Sequence, residues 1–197
     1  MNKAILISIQ PRWCEKIFDG FKNVEFRKTM PKLPLPFKAY VYCTKKRGRL
    51  LDIIKDGEDL YGDIYHGKPI FIKTDATSED TSAFINGWCG KVIGEITVDR
   101  MEEVTVDYSG ENPVAVYGGV RLTDMEAGYF LGGGLTLGEY VKYKGKGKVY
   151  GWHIAETKLY KKPVDVQEYT FVDCLDRVKR PPQSWCYVKE KKDETGL

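Results

Sequence analysis

Two rhythms of apolar residues alternate near the start of the chain. Ala4–Ile7 (AILI) is a continuous apolar run and predicts a buried strand over roughly Lys3–Ile9. From Pro11 onward, Trp13, Cys14, Ile17 and Phe18 recur at helical spacing. Proline suits a first helical turn, where its missing N–H is not needed, and Gly20 stands where a helix would end. The period then returns to two. In NVEFRK, Val24 and Phe26 share one strand face, with Glu25 and Arg27 on the other. The result is a cluster of Lys22, Glu25 and Arg27 beside a helix terminus, two cations to one carboxylate. Taken alone, it also reads as a solvated strand face, since an exposed ion pair contributes little.

Further along, three prolines within Met30–Pro36 exclude a central strand there. Phe37–Thr44 (FKAYVYCT) predicts a strand. A short helix over Leu50–Lys55, a strand over Pro69–Lys73 and a helix ending near Gly87 follow. Val92–Val98 reads as a central strand with Glu95 its lone charge; such a carboxylate pairs or faces a cleft, unless the strand is an edge. Met101–Asp107 continues as an extended segment. Thr123 and Thr136 each open a capping-box pattern, TDME and TLGE, predicting helices over Asp124–Leu131 and Leu137–Tyr143. The second lays down Leu137, Tyr140 and Val141. Gly132–Gly134 reads as a joint, because Walker and dinucleotide-binding spacings are absent. Tyr150–Leu159 predicts a long strand with Trp152 and Ile154 opposite His153, broken at Lys162-Pro163. Ser184–Val188 closes the fold. Many short strands with few helices fit an α+β fold around a small, partly open β-barrel.

At 197 residues the chain can bury one substantial core, so a single domain over 1–190 with a polar tail at 191–197 is expected. No segment reaches the apolar length needed to cross a bilayer, and the N-terminus lacks a leader's long apolar stretch. A cytoplasmic protein without a membrane partner is the expectation. Five scattered cysteines without a C-x-x-C pair, and only His66 and His153, predict neither a metal site nor a cofactor. Cys14 and Cys186 read as small core residues. The net charge of +3 permits nucleic-acid binding without demanding it. Its distribution says more: Lys45, Lys46, Arg47 and Arg49 form one run, Lys142, Lys144, Lys146 and Lys148 a second, and Lys179 with Arg180 a third. Gathered with Lys22 and Arg27 they would make a phosphate-compatible face, although Lys-Gly alternation also suits a solvated hairpin.

Pro11, the helix, Ile17, Gly20, Lys22, Glu25 and Arg27 together resemble the opening signature of the ASCH domain, a member of the PUA-like superfamily. VIGEITV and YGWHIAETKL resemble that family's core strands, and RPPQSWCYV resembles the C-terminal part of small bacterial and phage ASCH proteins. The resemblance implies one PUA-like domain with short flanking helices and an inserted segment at about 49–90. It also implies binding of RNA or a modified nucleotide, with DNA possible. Lys22 and Arg27 would meet a phosphate or a base edge, and Glu25 would orient Arg27 or accept from a base. Lys45, Lys46 and Arg47 would extend the surface, and His153 would hydrogen-bond a ligand. Trp13, Tyr42, Trp152 or Trp185 would stack on a base, at least two of the four being core residues instead.

Some ASCH proteins remove acyl groups from a cytidine base, and others are ribonucleases. The amidohydrolase pattern uses a lysine, a nearby threonine and a distant glutamate. Lys22 matches the lysine and Glu95 the distant glutamate, but Glu25 stands at the threonine position and Thr29 is at the wrong strand offset. Glutamate cannot supply a hydroxyl nucleophile. The alternative catalytic set is therefore Lys22 with Glu25 or Glu95, a carboxylate polarising water while Lys22 steadies oxyanion charge. A third reading is a protein-interaction module anchored by Tyr61, Tyr65, Phe71, Phe84 and Trp88.

Overall fold

The computed structural model describes residues 2–18, 20–45, 88–110, 114–122, 137–174 and 176–191. Four elements open the chain as the pattern predicts: β1 (Lys3–Ile9), α1 (Pro11–Phe18), β2 (Val24–Arg27) and β3 (Phe37–Cys43). Gly20 follows α1 with φ of +81°, the left-handed geometry that glycine adopts without a Cβ penalty. After them come β4 (Val92–Glu103), the short strands β5 (Thr105–Asp107), β6 (Val114–Tyr117) and β7 (Val120–Leu122), α2 (Leu137–Lys144), β8 (Tyr150–Val164) and β9 (Trp185–Lys189).

Six strands form one mixed sheet in the order β2-β8-β4-β3-β1-β9, and β5-β6-β7 form a second, smaller one. β1 and β3 run parallel, a pairing that requires a crossover, here made by α1 and β2. The other pairings are antiparallel. The large sheet curls into a partly open barrel. Its interior is filled by alternate residues such as Ile5, Ile7, Val41, Ile96, Val98 and Trp152, and by Cys14 and Ile17 of α1. The opposite face, with Leu6, Tyr40 and Val92, is covered by Val166, Tyr169 and Val178. Val24 and Phe26 turn outward from β2 against Tyr117 and Tyr140, joining the small sheet and α2 to the barrel. The fold is α+β, with a PUA-like, partly open barrel and short flanking helices.

Four details depart from the sequence reading. β4 is one strand of 12 residues, kept continuous by register shifts around Val98. β8 runs through Pro163 to Val164: β2 pairs with Tyr150–His153, so among the described residues Pro163 lies where β4 is the one strand that β8 pairs with, as at a sheet edge, where proline is tolerated. The β6–β7 hairpin was not anticipated, although Gly118-Gly119, at φ of +59° and +74°, is the positive-φ pair that a tight hairpin favours. On α2, Tyr140 is buried but Val141 is 41% exposed. The elements expected at Leu50–Lys55, Pro69–Lys73, the helix ending near Gly87, Asp124–Leu131 and Gly132–Gly134 lie outside the described residues, as does the tail 192–197. Among the described residues no helix is long and apolar enough to cross a membrane.

Candidate functional site

Period-two alternation in β2 decides the site. With Val24 and Phe26 packed outward, Glu25 and Arg27 must point to the other side, where a cleft of about 570 Å³ opens between α1, β2 and α2. Lys22 enters from the turn after Gly20, and its backbone N–H donates to Lys16 O at the end of α1.

The three charged side chains form one unit. Lys22 Nζ lies 3.2 Å from Glu25 Oε2, and Arg27 Nη2 lies 2.9 Å from Glu25 Oε1. Their side chains are only 3%, 8% and 12% exposed for Lys22, Glu25 and Arg27. Lys22 Nζ also donates to Val24 O, and it sits over the rings of Phe26 and Trp13 at 5.0 and 5.6 Å. Burial draws the Lys22 amine below its ordinary pKa, while Glu25 acts in the opposite direction. Arg27 Nη2 further donates to Ser8 O at 2.8 Å, which ties β2 to β1 across the cleft floor. Nη1 reaches Ser184 Oγ at 3.4 Å, and Nε has no hydrogen-bond partner among the described residues. A guanidinium carries five N–H donors, so Arg27 keeps capacity for a further acceptor.

Around this floor stand Arg12 and Trp13 from α1 and Glu139, Lys142 and Tyr143 from α2. Arg12 lies 4.2 Å over the Trp13 ring. The Tyr143 hydroxyl donates to Phe26 O at 3.2 Å, and burial raises its pKa. Lys28 lies 5.5 Å over the Tyr143 ring.

This architecture has solved counterparts. The ASCH protein from Zymomonas mobilis superposes with a TM-score of 0.52 at 16% identity, covering 95% of this chain and 88% of its own. Two mutant forms of that protein give TM-scores of 0.51 and 0.50 at the same identity, over 96% and 95% of this chain and 92% and 89% of theirs. The chain has the ASCH fold. No protein-family model matches the sequence, and no curated protein does.

Within the ASCH fold, the residues singled out from sequence separate into groups. Lys22, Glu25 and Arg27 come together in the cleft. Glu95 does not join them. It sits opposite Tyr40, on the covered outer face of the sheet, where it accepts from the Tyr160 hydroxyl at 2.8 Å and pairs with Lys38 and Lys158 at 3.5 Å. Placing Lys22 and Glu95 in one catalytic set is therefore corrected by strand parity. Trp152 is corrected as a stacking platform: it is fully buried in the barrel, edge-on to Phe37 and against Trp185. Tyr42 is buried too. His153 points away from the cleft and pairs with Asp99 at 2.6 Å, a hydrogen bond that lowers the Asp99 pKa. Lys45 is exposed next to Gly90 and does not line the cleft, while Lys46 and Arg47 lie outside the described residues. Trp88, considered as an interaction anchor, is buried in the barrel core.

Of the α2 wall, the sequence pattern points to Lys142 through its basic run but does not bring Glu139 and Tyr143 to the site. Glu139, Lys142 and Tyr143 are spaced i, i+3, i+4 and so share one face of α2. That spacing is present in the sequence, but the apolar residues Tyr140 and Val141 define a helix face without showing which polar face meets the cleft. Arg12, beside Trp13 at the exposed start of α1, was also passed over.

Proposed function

We infer that the cleft binds one nucleotide unit, of RNA or of a modified nucleotide. The observation that carries this reading is the charge of the lining: Arg12, Lys22, Arg27 and Lys142 against Glu25 and Glu139. Because Glu25 already engages both inner cations, the outer pair, Arg12 and Lys142, offers charge to a phosphate. Arg27 supplies directional donors to a base edge or a phosphate oxygen. The half-buried Trp13 and the Tyr143 ring offer apolar surface for a base on opposite walls. The cleft volume falls within the roughly 300–1,000 Å³ usual for small-ligand sites, which suits a single splayed nucleotide better than a duplex.

A second reading, chemistry on a nucleoside or on RNA, is favoured by one observation: the Lys22 amine is buried at the cleft floor, and burial draws its pKa below the ordinary lysine value. Glu25 is poorly placed for that task. Both of its oxygens are already engaged, one by Lys22 and one by Arg27. Hydrolysis in this cleft would therefore fall to Lys22, with Glu25 positioning it.

Fluorescence-anisotropy titration with short single-stranded RNA, structured RNA and matching DNA at two salt concentrations tests the binding reading. Saturable binding to single-stranded RNA that weakens with salt is the expected result. Absence of saturation with all three removes nucleic acid as the ligand. Incubation with acylated cytidine and with RNA, followed by chromatography, tests for turnover.

A further inference from the structure

Three thiols far apart in sequence meet at the end of β3. Cys43 Sγ lies 4.0 Å from Cys89 Sγ across a sequence separation of 46. Cys14, whose thiol donates to Ile9 O at 3.6 Å, hydrogen-bonds Cys43 from the α1 side. All three are reduced. The backbone fixes the nearer pair: the Cys43 N–H donates to Lys91 O at 2.9 Å, and the Gly90 N–H donates to Cys43 O at 2.7 Å. Both backbone groups of Cys43 therefore pair with one segment, Gly90–Lys91, which holds its sulfur beside that of Cys89. Among the described residues no group of three His, Cys, Asp or Glu side chains is arranged for a metal ion.

We propose that Cys43 and Cys89 form an oxidative modification site, closing to a disulfide when the folded protein meets a peroxide. Of the three thiols Cys89 alone is partly exposed, while Cys14 and Cys43 are buried. Cys89 reacts first. Its thiolate attacks a peroxide oxygen, an S–O bond forms, the O–O bond breaks, and the departing hydroxide takes up a proton as water. Cys43 then attacks the resulting sulfenic sulfur. The S–S bond forms, the S–O bond breaks, and the Cys43 proton leaves with the hydroxyl as a second water. Two thiols lose two electrons, and one peroxide becomes two waters. The hydrogen bond with Cys14, reinforced by burial, keeps the Cys43 thiol well above the usual thiol range. Cys43 is accordingly the second partner and not the first. A disulfide requires the sulfurs at about 2.05 Å, so closure draws them together from 4.0 Å.

The bond would tie the end of β3 to the turn that leads into β4. Thr44, next to Cys43, lines the cleft, and its N–H donates to Ile9 O at 2.9 Å, so the crosslink would sit behind one cleft wall. A crosslink between positions far apart in sequence restrains the unfolded chain most, and the oxidised protein should melt at a higher temperature.

The test treats the full chain with hydrogen peroxide, blocks remaining thiols with iodoacetamide, and maps unreduced peptides by mass spectrometry. A Cys43–Cys89 crosslinked peptide is expected, with a rise in Tm that dithiothreitol reverses. Cys14→Ser should keep both the crosslink and the rise, and Cys89→Ser should lose both while its circular dichroism stays native. A Cys14–Cys43 crosslink, an intermolecular bond through Cys174, Cys89 carried to sulfinic acid, or no reaction at all would each overturn the proposal. The wild-type peptide map is decisive even if a variant fails to fold.

Discussion

Glu25 meets Lys22 at 3.2 Å with both side chains almost entirely removed from water. The other Glu25 oxygen holds Arg27, so one carboxylate balances two buried cations. Removing a partner from such a unit costs more than the unit contributes, because the remaining charges stay desolvated. Glu25→Gln should therefore lose about 3–5 kcal/mol of stability, measured by urea denaturation. Pairing it with Lys22→Met should restore part of that loss. If Glu25→Gln unfolds within about 0.5 kcal/mol of the wild type, the carboxylate is not the counter-charge of the two cations.

The same burial sets a pH dependence. In the folded protein the Lys22 amine is held below 10.5, its reference value, so between the folded pKa and 10.5 the unfolded chain binds more protons at this site. Stability contributed by Lys22 then rises with pH across that window and is at its lowest, and flat, below the folded pKa. Lys22→Met lacks the titration. The wild type should therefore gain on Lys22→Met as pH climbs toward 10.5. Tyr143 does not confuse the comparison below its ordinary range, because burial moves its pKa upward. A difference that shrinks with rising pH would mean that the amine is held charged.

Much of the fold was legible because it rests on period. AILI, the helical spacing from Pro11 and the alternation in NVEFRK gave β1, α1 and β2, and with them the meeting of Lys22, Glu25 and Arg27. What period cannot show is which sheet face a residue shares with a distant strand. Glu95 and Glu25 both read as lone carboxylates in apolar strands, yet the β3–β4 register puts Glu95 beside Tyr40 on the outer face. Trp152 and His153 present the same difficulty: alternation separates them, but only the curled sheet decides that Trp152 faces the core. Pro163 misled for a different reason, since its cost depends on whether a second neighbour strand is present.

Gly94 fixes α1 to the barrel. A Cβ there would stand 2.6 Å from the Phe18 ring and 2.5 Å from Lys158 O, and the latter is backbone and cannot swing aside. Gly94→Ala should cost about 1–3 kcal/mol. It should also displace the end of α1, weakening ligand binding at Arg12 and Trp13 in protein that remains folded. Full affinity together with full stability would show that the contact relaxes freely.

Trp152 separates a core role from a ligand role. It is fully buried among Phe37 and Trp185. Trp152→Ala should destabilise by about 3–5 kcal/mol, whereas Trp152→Phe, which keeps an aromatic in the barrel, should retain RNA affinity at temperatures where it is folded. Loss of affinity in a native-like Trp152→Phe would return this ring to the site.

The outer cations offer the sharpest contrast, because they can be removed without disturbing the buried unit. Arg12 and Lys142 line the cleft from separate helices, and His153 lies outside it with Asp99. Arg12→Ala and Lys142→Ala should each leave Tm nearly unchanged, lower RNA affinity, and reduce the slope of log affinity against log salt by about 1. His153→Ala should leave affinity and slope alone, and free the Asp99 carboxyl to titrate nearer its ordinary value. Exposed charges act on a ligand largely independently, so the double variant should show roughly the sum of the two slope changes. If instead His153→Ala weakens binding while Arg12→Ala and Lys142→Ala do not, the nucleic acid runs along the β4–β8 face and the cleft serves some other ligand.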